Sequence, residues 1–232
     1  MFFAERNGAK VVGLKAVPKP IRSVGVVGAG LMGGGIAMCC ANVGIAVTIL
    51  DIDQKNLDRG MKLVKANYER SRSMSPEHKA AALRRIRPTT NYAELANVDL
   101  VVEAVFESMK VKKKIFKTLS DVCRKDTFLC SNTSALDIDM LADEVEDPSR
   151  VMGTHFFSPA NVMKLLENVR GARTSDLTVA SMMAWGKKIG KWVILVGNCP
   201  GFGESGKARD DPNRKRNETH ETLRRVGQWA TE

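Results

Sequence analysis

The sequence predicts an α/β fold, in which helices cover both faces of a doubly wound, mostly parallel β-sheet. Two observations predict it. Short aliphatic runs alternate with helix-length segments along most of the chain, and this alternation builds parallel sheets because each parallel strand pair needs a crossover. In addition, the run Val98–Phe106 is largely apolar and does not alternate with polar residues, which is typical of a strand buried on both faces.

The first predicted strand, within residues 22–27, ends in the pattern Gly28-x-Gly30-x-x-Gly33, and an apolar helix over about 31–43 follows. Gly28 allows the tight turn, Gly30 lets the backbone approach a pyrophosphate, and Gly33 lets the helix pack closely on the strand. The helix N-terminus offers unpaired N–H groups and the positive end of its dipole to phosphates. The segment therefore predicts a Rossmann-type dinucleotide site, and a purely structural glycine turn is the alternative.

The second predicted strand, Ala46–Leu50, is followed directly by Asp51, near the spacing from the glycines that such sites show. A carboxylate at the tip of this strand accepts hydrogen bonds from ribose hydroxyls and repels a 2′-phosphate. The sequence therefore favours NAD over NADP as the cofactor.

The rest of the chain continues the alternation of strands and helices. Residues 54–86 are predicted to be helical, as two helices broken near Ser75-Pro76, because proline favours the first turn of a helix. The elements predicted after that break are strands at Ile86–Thr90 and Val98–Phe106, a helix at 109–124, a strand at Thr127–Ser131, a helix at 137–145, strands at Arg150–Phe157 and Val162–Arg170, a helix at 175–189 and a strand at Trp192–Val196.

The two ends of the chain differ in composition from its middle. Residues 1–20 are irregular, with Pro18 and Pro20 shortly before the first strand, and we interpret them as a linker. Residues 203–232 are rich in charged side chains and poor in apolar ones, so they cannot bury enough surface to offset the entropy lost on ordering. We therefore expect one domain over residues 21–202 and a disordered C-terminal tail.

The composition excludes several classes of protein. No apolar stretch is long enough to span a membrane and no secretory signal is present, so an intracellular protein is expected. The five cysteines show no CxxC spacing, and only three histidines occur. A metal site is therefore not expected.

Two basic segments, at residues 61–87 and 110–117, account for much of the formal net charge of +10. They lack interleaved exposed aromatic residues, and the chain has no nucleic-acid-binding motif. A phosphorylated small molecule is therefore favoured over DNA or RNA as the anionic partner. For most of these lysines, a solvated helix face is the alternative interpretation.

A histidine and a glutamate lie in two strand-like segments joined by a short turn that contains Pro159. If Arg150–Phe157 and Val162–Arg170 form an antiparallel hairpin, His155 and Glu167 point to the same face as near-diagonal neighbours. A carboxylate beside an imidazole fixes its tautomer and stabilises its protonated form. Near a nicotinamide, such a pair suits the oxidation of a hydroxyl group, because the base removes the proton as hydride leaves. A core histidine without a chemical role is the alternative.

The polar cluster Ser131-Asn-Thr-Ser134 comes directly after a predicted buried strand. Ligands of such sheets bind beyond the carboxyl ends of the strands, so the cluster is a candidate for ligand contact. The alternative is a simple turn in which Ser134 caps the next helix.

Several of these segments form an ordered set of motifs: Gly28-Ala-Gly-Leu-Met-Gly, Asp99-Leu-Val-Val-Glu-Ala-Val, Ser131-Asn-Thr-Ser-Ala-Leu, His155-Phe-Phe-Ser-Pro and Val162-Met-Lys-Leu-Leu-Glu. Together they resemble the NAD-binding domain of the 3-hydroxyacyl-CoA dehydrogenases over about residues 20–202. Asn198-Cys-Pro-Gly-Phe202 resembles the hinge into that family's second domain. Phe2-Phe-Ala-Glu-Arg6 resembles the segment that joins the hydratase and dehydrogenase parts of peroxisomal-type multifunctional β-oxidation enzymes.

The resemblance implies NAD-dependent oxidation of L-3-hydroxyacyl-CoA to 3-ketoacyl-CoA in fatty-acid β-oxidation. It implies that His155 is the general base, that Glu167 orients it, and that Ser134 hydrogen-bonds the 3-oxygen of the substrate. It also implies that the basic helix near 62–72 faces the phosphates of CoA, and it favours the peroxisome, with the mitochondrion and cytoplasm as alternatives. The cofactor contacts that it implies are Gly28, Gly30, Leu31, Met32, Gly33, Asp51, Glu107 and Lys112.

The family continues beyond the hinge as a helical domain that closes the acyl cleft and forms the dimer, and we expect the charged residues 203–232 to stand in its place. Ser205 stands where the family has an active-site asparagine. We therefore expect a dehydrogenase that a homo-oligomer or a partner chain completes. An NAD-binding module with little activity is the first alternative, and a dehydrogenase of a non-CoA hydroxy acid is the second.

Overall fold

The computed structural model describes residues 14–198. The predicted tail at 203–232, most of the hinge motif and Ser205 lie outside the described residues. Residues 14–22 contain no helix or strand, but Lys19 holds this segment against the domain through an ion pair with Asp126 at 2.6 Å. Across residues 14–198 we find no helix with the length and apolar character that a bilayer-spanning segment needs.

The described strands are β1 (Ser23–Val27), β2 (Ala46–Leu50), β3 (Ile86–Thr89), β4 (Leu100–Glu103), β5 (Phe128–Ser131), β6 (Val151–Phe156), β7 (Leu165–Arg170) and β8 (Trp192–Gly197). Within residues 14–198 they form an eight-stranded sheet in the order β3-β2-β1-β4-β5-β6-β7-β8. Neighbouring strands from β3 to β6 are parallel, β6 and β7 are antiparallel, and β7 and β8 are parallel. The predicted doubly wound, mostly parallel fold is confirmed.

The described helices are α1 (Leu31–Asn42), α2 (Gln54–Arg70), α3 (Pro76–Arg84), α4 (Met109–Val122), α5 (Ile138–Ala142) and α6 (Asp176–Lys188). They enclose two apolar clusters, one on each face of the sheet. In β4, Leu100 and Val102 belong to the cluster that includes α1 and α6, whereas Val101 belongs to the cluster that includes α4 and α5. Successive strand residues point to opposite faces, so a strand covered on both sides must be apolar throughout.

The break between α2 and α3 follows from local capping. The Ser75 side chain accepts a hydrogen bond from the His78 backbone N–H, and Pro76 occupies the first turn of α3. Proline is favoured there because the first-turn N–H groups have no partner within the helix. The predicted break near Ser75-Pro76 is confirmed.

Strand β4 is shorter than the predicted strand Val98–Phe106. The chain leaves the sheet after Glu103, whose side chain accepts a hydrogen bond from the Val105 backbone N–H at 2.7 Å. This bond turns the following loop, and the Phe106 side chain is 81% exposed. Phe106 is therefore a loop residue and not part of a buried strand.

The predicted antiparallel hairpin between β6 and β7 is confirmed, but its register differs from the expected one. Val162 and Met163 lie in the turn, where both backbone N–H groups donate to the Pro159 carbonyl oxygen. Strand β7 therefore begins only at Leu165. This longer turn places His155 directly opposite Glu167, and not diagonally.

Candidate functional site

The glycine turn lies at the carboxyl end of β1, between β2 and β4. The strand order reverses at β1, and ligands of such sheets bind outside the carboxyl ends of strands at this switch point. Gly28 has a φ of 101°, which only glycine adopts readily, and its N–H donates to the Leu50 carbonyl at 2.7 Å. A Cβ added at Gly33 would lie 1.8 Å from the Gly28 carbonyl oxygen. The backbone of α1 at Gly33 therefore packs directly against the backbone of the turn, and the gap between them has no room for a side chain.

Gly30 is the N-cap residue of α1, and within the described residues no side chain caps this helix. A Cβ added at Gly30 would meet no atom within 4 Å. The N–H groups of the first turn therefore face open space at the positive end of the helix dipole. This arrangement suits an anion such as a phosphate.

The Asp51 carboxylate is oriented by two backbone N–H groups. One oxygen accepts from Ala29, in the glycine turn, and the other from Ile52, both at 2.7 Å. Each carboxylate oxygen has further lone pairs. Asp51 is therefore fixed beside the glycine turn and can accept further hydrogen bonds from hydroxyl groups.

A groove of about 450 Å³ adjoins the glycine turn on the side of α2. Its cationic side chains come from α2 and its backbone wall from the turn. The residues that line it are Ala29, Gly30, Leu31, Arg59, Gly60, Lys62, Leu63 and Ala66. The groove therefore combines positive charge with exposed backbone next to the open end of α1.

His155 in β6 and Glu167 in β7 form a hydrogen-bonded pair. Imidazole Nδ1 lies 2.9 Å from Glu167 Oε2, and the side chains are 17% and 1% exposed, respectively. The Phe157 ring packs on the imidazole with the centroids 4.5 Å apart. A buried carboxylate that binds Nδ1 favours the tautomer protonated there, in which Nε2 accepts a proton.

The turn of this hairpin is held against both β8 and α1. The buried Lys191, just before β8, donates to the Ala160 carbonyl at 2.5 Å and to the Met163 carbonyl at 2.7 Å. Cys39 of α1 donates its thiol to the same Ala160 carbonyl, with 3.4 Å between sulfur and oxygen. The hairpin and the helix of the glycine turn therefore pack as one unit.

A second polar cluster lies at the carboxyl ends of β4 and β5. Glu103 is 0% exposed and Lys112 is 1% exposed, and Nζ lies 2.7 and 2.9 Å from the two carboxylate oxygens. The Ser131 hydroxyl donates to Glu103 at 2.6 Å. The buried carboxylate is therefore both neutralised and hydrogen-bonded, as a charge inside a protein requires.

Glu107 lies above this cluster and is partly exposed. It accepts hydrogen bonds from the Thr133 hydroxyl at 2.5 Å and from the Ser134 backbone N–H at 3.0 Å. Lys112 Nζ lies 3.3 Å from its other oxygen. Burial alone would raise the pKa of Glu107, but the Thr133 hydrogen bond and the positive charge of Lys112 outweigh burial and hold that pKa below its usual value.

Two of the predicted site residues lie in unexpected surroundings. Lys112 is buried between two glutamates and does not lie at the surface. Ser134 does not cap a helix, because α5 begins at Ile138 and its N-cap residue is Asp137. The alternative in which Ser134 serves as a helix cap is therefore wrong, and Ser134 is an exposed residue beside Glu107.

Glu103 was not among the predicted site residues, and Thr133 was predicted only as a member of the polar cluster Ser131-Asn-Thr-Ser134. A signal for Glu103 was present, because an acid that closes an apolar strand at the ligand-binding edge needs a buried partner. The signal for Thr133 was its place in that polar cluster after a buried strand. Among the described residues, no group of three or more His, Cys, Asp or Glu side chains could hold a metal ion.

Comparison with known proteins identifies several relatives of the chain. The family model described as "3-hydroxyacyl-CoA dehydrogenase, NAD binding domain" matches residues 23–199. The peroxisomal bifunctional enzyme of Cavia porcellus is 45% identical over 209 residues, which is 87% of this chain and 29% of that protein. The peroxisomal fatty acid beta-oxidation multifunctional protein AIM1 of Arabidopsis thaliana is 42% identical over 210 residues, again 87% and 29%. The chain thus spans less than a third of the length of these relatives.

A solved structure agrees with the sequence matches. The structure of (S)-3-hydroxybutyryl-CoA dehydrogenase from Ralstonia eutropha superposes with a TM-score of 0.77 at 40% identity, covering 79% of this chain and 66% of that one. Both the fold and the sequence are therefore similar to those of a solved dehydrogenase.

Proposed function

Because the chain belongs to the NAD-binding domain family of the 3-hydroxyacyl-CoA dehydrogenases, we propose that it takes part in the NAD-dependent oxidation of L-3-hydroxyacyl-CoA to 3-ketoacyl-CoA. The observation that carries the proposal is the His155–Glu167 pair, with 2.9 Å between nitrogen and oxygen, on a hairpin packed against the helix of the glycine turn. A base beside a dinucleotide site is what the oxidation of a hydroxyl group needs.

The cofactor of the family is NAD, and the described residues fit it. A Cβ at Gly30 would occupy the open space at the end of α1, where the backbone N–H groups of Leu31, Met32 and Gly33 would bind the pyrophosphate. Asp51 would accept hydrogen bonds from a ribose and would disfavour a 2′-phosphate. When bound, NAD supplies the acceptor for the hydride.

His155 would take the hydroxyl proton of the substrate at Nε2, while Glu167 keeps Nδ1 protonated and stabilises the imidazolium that forms. The proton of the hydroxyl group would go to the imidazole, and the hydrogen on the carbon would leave as the hydride. Glu167 is 1% exposed, and its charge therefore acts with little screening by water.

Three further residues would serve the bound molecules. Ser134 would hydrogen-bond the 3-oxygen of the substrate, and Glu107 would bind the nicotinamide ribose. Lys112 would act through its ion pair with Glu107, at 3.3 Å, because its own ammonium group is 1% exposed. The basic residues of α2 near the groove, Arg59 and Lys62, would attract the phosphates of CoA.

The names of the relatives extend the proposal to location and assembly. We propose a role in fatty-acid β-oxidation in the peroxisome, because the enzymes of Cavia porcellus and Arabidopsis thaliana carry that location in their names. We also propose that residues 21–202 act as the cofactor-binding part of such a dehydrogenase, and that the protein works as a homo-oligomer or with a partner chain.

The decisive experiment follows NADH consumption by the purified chain in the presence of acetoacetyl-CoA, which is the reverse reaction. We expect turnover that His155→Ala lowers by about 10²- to 10⁴-fold, because a general base contributes about that much. Free acetoacetate serves as the control substrate, and we expect the CoA ester to be preferred.

One alternative function rests on a specific observation. Residues 14–198 contain a complete glycine turn with a fixed acid, which suffices to bind a dinucleotide without chemistry. If the chain binds NADH but consumes no more of it than His155→Ala does, it is a cofactor-binding module and the proposed catalysis is wrong.

A further inference from the structure

Five residues at the carboxyl ends of β4 and β5 form a closed circuit of polar contacts, which we name the Glu103 ring. Lys112 binds Glu103 at 2.7 Å and Glu107 at 3.3 Å. Glu107 accepts from Thr133 at 2.5 Å, and the Thr133 backbone N–H donates to the Ser131 hydroxyl oxygen at 3.3 Å. The Ser131 hydroxyl then donates to Glu103 at 2.6 Å, which closes the circuit.

The ring is anchored in the sheet at one side and reaches the surface at the other. Glu103 and Ser131 are register partners at the last positions of β4 and β5, and both are 0% exposed. The Glu107 side chain is 39% exposed and also holds the backbone of Ser134. A buried foundation therefore supports two accessible groups, Glu107 and Ser134, at the carboxyl ends of β4 and β5, next to the switch point of the sheet.

Glu103 supplies the nearer of the two counter-ions of Lys112 in the ring, and the ring as a whole carries one net negative charge. Lys112 carries one positive charge between the carboxylates of Glu103 and Glu107. In this arrangement the short contact goes to the buried carboxylate and the longer one to the accessible carboxylate. Without the Glu103 charge, the ammonium group has Glu107 as its remaining counter-ion in the ring and would draw that carboxylate inward.

We propose that Glu103 is a positioning residue for the nicotinamide half of the cofactor: it retains Lys112 and Ser131, and thereby holds Glu107 and Ser134 where they meet the nicotinamide ribose and the substrate. The inference rests on the proposed function of this site. Glu103 itself is 0% exposed and touches neither ligand. Outside the ring, the Glu103 side chain accepts only from the Val105 backbone N–H among the described residues, and Asp51 and the glycine turn have separate hydrogen bonds.

This separation allows a test by binding alone, with NADH and ADP as probes. ADP contains the adenosine and phosphate groups but no nicotinamide ribose. We expect Glu103→Gln to weaken NADH binding by about tenfold, the value of one charge-assisted hydrogen bond, and to change ADP binding by less than about twofold. Isothermal titration calorimetry with NADH and with ADP, on the wild type and on the variant, measures the ratio of the two affinities in each protein.

Glu144→Gln is the matched control, because Glu144 pairs at 3.0 Å with Lys113, the neighbour of Lys112 on α4. This variant makes the same chemical change in a glutamate that pairs with a lysine of α4 but lies outside the ring. We expect its affinities for NADH and for ADP to equal those of the wild type. Unchanged NADH affinity in Glu103→Gln overturns the inference. An equal loss of NADH and ADP affinity also overturns it, because that result indicates general damage to the fold.

If Glu103→Gln does not fold, a second variant tests the same inference. Ser131→Ala removes the other branch of the ring without leaving a buried charge, and we expect the same selective loss of NADH affinity, at about threefold. A folded Ser131→Ala with an unchanged ratio of NADH to ADP affinity overturns the inference. If the wild type itself binds no NADH, the proposed function is wrong. If the wild type binds NADH but the variants show no selective loss, only the inference about Glu103 is wrong.

Discussion

The two ends of strand β4 carry the same kind of residue in two different settings. Asp99, before the strand, accepts from the backbone N–H groups of Arg22 and Ser23 and from the Arg124 side chain. Glu103, the last residue of the strand, binds Lys112 and Ser131 and is fully buried. Both carboxylates join neighbouring elements, but only the second lies at the edge where the sheet binds ligands.

The two ends of β4 differ in where the contacts of their carboxylates lead. At the amino end, the partners of the Asp99 carboxylate are two backbone N–H groups, the Ser23 hydroxyl and an arginine that is itself paired with Asp126, so the contacts end within the fold. At the carboxyl end, the contacts continue through Glu107 to the exposed Ser134. We therefore expect changes at the amino end to alter stability alone, and changes at the carboxyl end to alter binding.

The largest expected effect concerns the glycine turn, which follows β1 at the same edge of the sheet as Glu103. Gly33→Ala places a methyl group 1.8 Å from the Gly28 carbonyl oxygen, so we expect a loss of about 3 kcal/mol or more in the free energy of unfolding and no NADH binding. Gly30→Ala meets no atom within 4 Å and should fold normally, yet it should bind NADH at least about tenfold more weakly. Thermal unfolding and titration separate the two, and a Gly30→Ala that binds NADH normally would contradict the assigned phosphate site.

The next effect is a difference in NADH affinity between a variant of the proposed cofactor-binding residue Asp51 and a variant of the proposed base His155. Asp51→Ala should weaken NADH binding by about tenfold or more, because a charge-assisted hydrogen bond to ribose is lost. His155→Ala should leave NADH affinity within about twofold of wild type, because its role is proton transfer. Fluorescence titration of NADH measures both, and an equal loss in the two variants would contradict their separate roles.

A smaller effect is expected at the amino end of β4. Asp99→Asn removes the charge that two backbone N–H groups and Arg124 share, and should cost about 1–3 kcal/mol of unfolding free energy. NADH affinity should not change. Urea unfolding monitored by circular dichroism provides the first value and titration the second, and weaker NADH binding by this variant would break the proposed division between the two ends.

The smallest effect is the pH dependence of stability. Partial burial of Asp99 opposes its charged form, but hydrogen bonds from Arg22, Arg124 and Ser23 outweigh burial and lower its pKa below 3.8. The unfolded chain therefore binds the proton first, so this contribution is complete above about pH 4 and is lost as the pH falls through the lowered pKa. Urea midpoints at pH 3 to 7 should fall less steeply with acid in Asp99→Asn than in wild type, and parallel curves would exclude this role.

Much of the fold could be predicted because its signals are local. Helix α2 ends at Arg70, and the capping Ser75 with the following Pro76 begins α3 a few residues later. The true end of β4 could not be predicted from its apolar run, because the turn depends on a hydrogen bond from Val105 to the Glu103 side chain. Lys112, one helical turn into α4, binds the same carboxylate, so the turn involves a residue outside the apolar run.

The sequence by itself determined the glycine turn, the acid after β2 and the alternation of strands and helices, since these depend on backbone freedom and on the period of apolar residues. The tertiary structure alone decided that His155 lies directly opposite Glu167, because the register depends on the length of the turn that Lys191 and Cys39 hold. It alone also decided that Lys112 is buried between two carboxylates. Such contacts join elements distant in the chain, and no local pattern encodes the distance between them.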